Sequence, residues 1–207
     1  MDIAKTMLNV TALGIRRSER WLFKELTFAL AEGEALQIFG ENGSGKTSLL
    51  RCLCGLLGEA EGKVVWDESV HPIFLGHLAA VKTELSVYEN LSLHPIATKF
   101  PLEDDILKAI IEVDLAGYEE ELARRLSAGQ IRRVALARLL LADSKCWILD
   151  EPFTSLDAVG CKWLEQLISK FIESGGSVII TSHQAINLSI KPRQITLDKN
   201  KVWEGDE

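Results

Sequence analysis

The sequence predicts an α/β fold: a mixed sheet flanked by helices, with a small antiparallel β subdomain and an inserted helical subdomain. Three observations predict it. Residues 40–47 read Gly-Glu-Asn-Gly-Ser-Gly-Lys-Thr, between an apolar run and a stretch of good helix formers. Two further apolar runs stop abruptly in polar residues, Cys146 to Leu149 in Asp150-Glu151 and Ser177 to Ile180 in Thr181-Ser182-His183. Residues of about 77–126 lack a strong strand and show helical spacing instead. This divides a single 207-residue domain into a core of 1–76 and 127–207 and a helical subdomain of about 77–126.

In order, Met7 to Ile15 is apolar enough for a first strand, followed by a charged turn over 16–20. Trp21 to Leu30 mixes aromatic and alternating apolar positions, the mark of a second strand. Ala35 to Phe39 is a buried strand, and Lys46 to Leu53, free of Gly and Pro, is a helix. Lys63 to Trp66 and Ile73 to Leu75 are short strands. Leu102, Ile106, Ile110 and Val113 share one helical face behind the acidic first turn of Glu103, Asp104 and Asp105. A mostly buried helix runs from Leu126–Gln130 to about Ala142. Trp163 to Phe171 lines another, stopped by Gly175-Gly176. Two short strands, Gln194 to Leu197 and Lys201 to Trp203, close the chain.

The chemistry concentrates at strand ends. Gly40, Gly43 and Gly45 permit backbone angles that side chains forbid. Successive N–H groups then turn inward as a nest for a phosphate chain, and the following helix start adds about half a positive charge. Lys46 supplies a mobile cation for the β- and γ-phosphates, and the Thr47 hydroxyl is a Mg²⁺ ligand. This is the P-loop pattern. It makes Gly40, Glu41, Asn42, Gly43, Ser44, Gly45, Lys46, Thr47 and Ser48 the candidate nucleotide-binding residues. Asp150, carried to the carboxyl end of a strand, can hold Mg²⁺ through its water shell, and Glu151 can polarise an attacking water. His183, at a third strand end, can hydrogen-bond a γ-phosphate oxygen.

Leu126-Ser127-Ala128-Gly129-Gln130 matches the LSxGQ signature of ABC-transporter ATPase domains. With the P-loop, Asp150-Glu151, His183, and a Ser155-Leu156-Asp157 that resembles the D-loop, the resemblance covers nearly the whole chain. It implies a P-loop NTPase core that hydrolyses ATP with Mg²⁺, using Lys46, Glu151 and His183. It also implies a second ATPase subunit: Ser127, Gly129 and Gln130 of one copy close on the γ-phosphate held by the other. His77 stands at the position of the family's glutamine loop, and Arg17 near that of its adenine-stacking aromatic. Histidine is a poorer Mg²⁺ ligand than an oxygen donor, and a guanidinium stacks on a base less selectively.

Leu75-Gly76-His77, Lys82 to Leu85 and Trp147 to Thr154, with Arg20, Leu22 and Phe23, look like the ATP-binding subunits of the bacterial haem exporters used in cytochrome c maturation. Leu78 stands where that group often has Gln. The likeness implies integral membrane permease subunits as partners. It implies a peripheral place on the cytoplasmic face of the inner membrane, and contact with haem that is only indirect, such as release of a loaded haem chaperone. An ABC ATPase for another cargo, a soluble ABC ATPase and a P-loop kinase are the alternatives; a kinase has no need of Leu126 to Gln130.

A net charge of −7 and a pI of about 5.2 argue against non-specific nucleic-acid binding and against a polybasic membrane anchor. No apolar run reaches the roughly 18 residues of a membrane span, and the first residues lack a secretory pattern, so a cytoplasmic chain is expected. The four cysteines show no zinc spacing and read as small buried hydrophobes in a reducing compartment.

Overall fold

The computed structural model describes residues 5–17, 20–57, 60–93, 101–183 and 185–198. Its strands are β1 (Thr6–Arg17), β2 (Arg20–Ala31), β3 (Ala35–Gly40), β4 (Ala60–Trp66), β5 (Ile73–Leu75), β6 (Cys146–Asp150), β7 (Ser177–Thr181) and β8 (Arg193–Leu197). Its helices are α1 (Lys46–Leu53), α2 (Val87–Ser92), α3 (Glu103–Glu112), α4 (Ala128–Leu140) and α5 (Ala158–Glu173), with a 3₁₀ turn at Ala123–Arg125. They group into two compact units: Met1–Phe74 with Ser144–Glu151 and Glu165–Glu207, and Leu75–Asp143 with Pro152–Leu164.

The first unit holds two sheets. The antiparallel one has the order β2-β1-β4; the other, β5-β6-β7-β3-β8, joins β6 to β7, β7 to β3 and β3 to β8 in parallel. Every residue of β6 and β7 is buried, as parallel strands covered on both faces require. Leu36, Ile38, Ile148, Ile179 and Ile195 of the parallel sheet share one core with Leu8, Leu13, Leu26 and Leu30 of the antiparallel one. Trp147 stacks on Phe171, with centroids 3.8 Å apart and planes 3° off parallel. That ring lies so close to Gly176 that a Cβ there would stand 2.5 Å from it. Gly175, at φ 93°, turns the chain, and Gly175 N–H to Ile172 O with Gly176 N–H to Phe171 O close a Schellman stop after α5. Of the predicted charged turn, Arg16 and Arg17 belong to β1 and Arg20 to β2, while 18 and 19 lie outside the described residues. The strand expected at Lys201 to Trp203 lies outside the described residues.

The second unit has a helical core of its own, built on Val87, Leu91, Ile106, Ile110, Val113, Val134 and Ala137. Ser86 caps α2 in a capping box with Glu89. Buried Asn90 locks the preceding turn: its Oδ1 accepts from Lys82 N–H at 2.8 Å, and its Nδ2 donates to Lys82 O at 2.9 Å and Ser86 O at 2.9 Å. One expectation fails here. Leu102 does not join the buried face of α3 but is 71 % exposed, because it is the N-cap, with extended backbone, and the helical phase starts only after it. The described residues contain no helix long and apolar enough to cross a membrane.

Candidate active site

The loop between β3 and α1 owes its shape to its glycines. Gly40 lies at φ 150°, and a Cβ on it would stand 2.5 Å from Ser44 Oγ and 2.7 Å from Leu197 O. Gly45 lies at φ 103° with Leu22 Cβ 3.1 Å and the Phe23 ring 3.3 Å from where its Cβ would be. A Cβ on Gly43 would meet nothing within 4 Å, so the crown of the loop is open. No side chain caps α1 and its first turn carries no acid, which leaves its leading N–H groups to an anion. Lys46 Nζ donates to Gly40 O at 2.6 Å and to Glu41 O at 3.2 Å, which sets the ammonium over the loop. Ser44 Oγ is buried and has no hydrogen-bond partner among the described residues. Such an atom is costly to leave unsatisfied, and a phosphate oxygen would satisfy it.

Sheet register assembles the second part. The pairing of β6 with β7 sets Asp150 opposite Thr181. The Thr181 hydroxyl donates to Asp150 Oδ1 at 2.8 Å and accepts the Glu151 N–H at 2.9 Å. From α1, the Thr47 hydroxyl donates to Asp150 Oδ2 at 2.8 Å. The Asp150 carboxylate, 1 % exposed, is thus oriented by two hydroxyls, and Thr47 keeps lone pairs for a cation. A hydroxyl and a carboxylate beside a phosphate cradle are the hard oxygen donors that Mg²⁺ prefers, so the residues present fit a Mg²⁺–nucleotide phosphate. Glu151 stands at φ 48°, a left-handed conformation that costs a residue with a side chain about 1–2 kcal/mol. His183 Nε2 lies 3.4 Å from Glu151 Oε1, and the imidazole is 56 % exposed.

Arg17 lies exposed at the end of β1, while Lys24 Nζ and the Arg16 guanidinium lie 4.3 Å and 5.9 Å from the ring centre of nearby Trp21. Glu41 and Asn42 are exposed on the loop, and Ser48 is half-buried in α1. The first unit therefore brings together Gly40 to Ser48, Asp150, Glu151 and His183. Thr181 belongs with them, although in the sequence it shows only as a strand end. Its role follows from register with a strand 31 residues earlier, which no local signal reveals.

His77, Ser127, Gly129 and Gln130 lie in the second unit. Ser127 caps α4 reciprocally: Gln130 N–H donates to Ser127 Oγ at 3.2 Å, and Ser127 N–H to Gln130 Oε1 at 2.9 Å. Gly129 comes so near the loop before α5 that a Cβ would stand 3.0 Å from Ser155 O. Arg133, also on α4, reaches Val113 O at 3.1 Å and Asp157 Oδ1 at 3.3 Å. His77 is exposed, and its carbonyl accepts from Arg132 Nη1 at 3.4 Å.

The sequence pattern of the ABC transporter family matches residues 23–154. A curated relative from Photobacterium profundum, named cytochrome c biogenesis ATP-binding export protein CcmA, is 44 % identical, with 86 % of this chain and 93 % of the relative covered. Its namesake in Shewanella frigidimarina is 44 % identical over 94 % of this chain and 95 % of the relative. Among solved structures, a dimeric post-hydrolysis state of the ATP-binding cassette MJ0796 bound to ADP and Pi superposes with a TM-score of 0.83. The match covers 96 % of this chain and 97 % of that one at 23 % identity, a likeness of fold. A phosphate cradle, a hydroxyl-held carboxylate and a signature turn thus stand in a chain whose pattern and relatives agree: it belongs to the ABC transporter family.

Proposed function

We propose that this chain is the ATP-hydrolysing subunit of a membrane ABC complex, coupling ATP binding and hydrolysis to haem export or delivery for cytochrome c maturation. The observation that carries the ATPase reading is the double hold on Asp150 by Thr47 and Thr181 beside the open glycine loop. The names of the relatives carry the haem reading.

The loop amides and Lys46 take the β- and γ-phosphates, with Ser44 Oγ as a further donor. Thr47 and Asp150 hold Mg²⁺, which when bound neutralises charge on the phosphate oxygens. Glu151 accepts a proton from the attacking water, and His183 hydrogen-bonds a γ-phosphate oxygen. The left-handed backbone at Glu151, fixed by the Thr181 bond to its N–H, places that carboxylate independently of Asp150. Arg17 is the candidate to stack on the base, and His77 takes the glutamine-loop position. Catalysis of this kind is mostly positioning and charge stabilisation, so completing the site is the switch. Two copies complete it, with Ser127, Gly129 and Gln130 of one serving the nucleotide of the other. The pair sits on the cytoplasmic face of the inner membrane against permease subunits, meets haem only through them, and binds no nucleic acid.

Glu151→Gln tests the reading. Nucleotide affinity stays within about twofold, hydrolysis falls by about 10²–10⁴, the range of a lost general base, and ATP drives a stable dimer on a sizing column. Wild-type turnover in this variant removes Glu151 as the base. Membrane subunits that co-purify with the trapped form identify the cargo; a transporter unrelated to haem there overturns the haem assignment.

A further inference from the structure

Helix α4 buries two arginines, Arg132 at 4 % exposure and Arg138 at 3 %. A guanidinium inside a protein is costly unless its fixed fork of donors is satisfied. Backbone carbonyls meet most of these donors here, although the buried Arg138 Nε has no partner among the described residues. Arg138 donates from Nη1 to Ala79 O at 2.8 Å and from Nη2 to Ala80 O at 3.0 Å. Burial pulls its pKa down only to about 10, so it stays cationic at neutral pH. Both its carbonyls lie on one segment, which turns sharply at Ala80, φ 49°.

Arg132 differs in kind. Its Nη1 donates to Gly76 O at 3.1 Å and His77 O at 3.4 Å, while its Nε donates to Pro152 O at 3.0 Å. One side chain thus ties two segments that lie far apart in the chain, at Gly76 and Pro152. One carries His77; the other follows directly on Glu151. Pro152 has no N–H, so its carbonyl is the one backbone group by which that residue can be hydrogen-bonded.

We propose that Arg132 is a positioning residue for hydrolysis, which makes the segment at His77 and the residue after Glu151 move as one with the helix that starts at Ser127. The proposal deepens the ATPase reading and rests on it. Glu151 is then fixed from both sides: its own N–H is bonded to Thr181, and the next carbonyl to Arg132. A shift of α4 when Ser127 and Gly129 meet a nucleotide reaches Glu151 and His77 together. A lysine cannot substitute, since one ammonium lacks the planar fork that spans both segments.

The test compares Arg132→Met, Arg132→Lys and Arg138→Met in the full-length protein, by ATPase kinetics, ATP affinity and amide hydrogen exchange. For Arg132→Met, kcat falls about ten- to hundredfold, the scale of a misplacement near 1 Å. KM and ATP affinity stay within about twofold, and exchange quickens at both 76–78 and 153–155. Arg138→Met, equally buried, quickens exchange at 79–81 alone and keeps kcat within about threefold. Arg132→Lys restores protection at one segment and recovers only part of kcat. Three results overturn the proposal: wild-type kcat in Arg132→Met, an equal loss of kcat in Arg138→Met, or a loss of ATP affinity matching that of kcat. Should Arg132→Met fail to fold, Arg132→Lys decides, and wild-type kcat and exchange in it sink the idea. Exchange is read without nucleotide, so the two-segment tie is judged even if wild type hydrolyses no ATP, a result that would instead refute the ATPase reading.

Discussion

The two units of this chain are built from opposite materials. In the first unit, the glycine loop is open at Gly43, and the buried Ser44 Oγ has no partner among the described residues. In the second, most polar groups around α4 are engaged within the unit, the buried Arg138 Nε excepted: Ser127 with Gln130, Arg133 with Val113 and Asp157, Arg132 with the carbonyls of Gly76, His77 and Pro152. The first arrangement is poised to take up a ligand. The second is a braced frame that can present one helix start. Damage to the first should therefore remove binding or chemistry outright, and damage to the second should leave binding and spoil completion of the site.

The largest expected effect is also the one most able to break this contrast. Lys46→Ala abolishes nucleotide binding, whereas Ser127→Arg keeps it and abolishes hydrolysis. Mixed, the two variants regain activity, because a hybrid pair has one site with an intact Lys46 from one copy and an intact Ser127 from the other. A mixture as dead as its parts, measured at concentrations where wild type pairs, contradicts sites shared between copies.

Thr181→Val is a smaller step. It keeps the shape and removes the hydroxyl that orients Asp150 and receives the Glu151 N–H. Leaving those buried groups unsatisfied costs about 1–3 kcal/mol, read as a lower melting temperature. The hydrolysis rate should drop by about tenfold or more, while Thr181→Ser recovers most of it. Ser127→Ala removes only a cap, at about 1 kcal/mol of stability. Equal losses of rate from Thr181→Val and Ser127→Ala would erase the distinction between an active centre and a frame.

What could be read from the sequence follows the same line. The glycine loop, Asp150 and His183 were legible because each is set by its neighbours in the chain: a tight turn, a strand end, the start of a helix. Ser127 was legible as a cap for the same reason. Thr181 and Arg132 were not, since each acquires its role from partners far off in the chain, through strand register in one case and burial in the other. An arginine within the apolar stretch of α4 is a hint of such a role, but spacing alone cannot say which carbonyls it meets. Leu102 misled in the opposite way, because its spacing to Ile106 is helical while its backbone is not.

The gentlest test of the contrast starts from the cysteines already present. Cys52, Cys54 and Cys146 lie in the first unit, the first and last of them buried, and Cys161 lies half-buried in the second. Burial pushes the Cys54 thiol up to about 12, and raises those of Cys52 and Cys146. At pH 8 a thiol reagent that needs the thiolate should label Cys161 first and the other three only when the first unit opens. ATP at about a hundred times its dissociation constant adds roughly 2.7 kcal/mol to the closed form. It should slow labelling of those three about a hundredfold and leave Cys161 nearly unchanged. The pH dependence has a fixed sign. A raised thiol pKa contributes stability below the ordinary thiol range, which is lost as pH rises from about 9, where unfolded thiols ionise, toward 12. Melting temperature should fall over that window, and fall less in Cys54→Val. If ATP protects Cys161 as strongly as Cys54, the frame and the active centre open as a single body, and the bracing by α4 reaches further than its own unit.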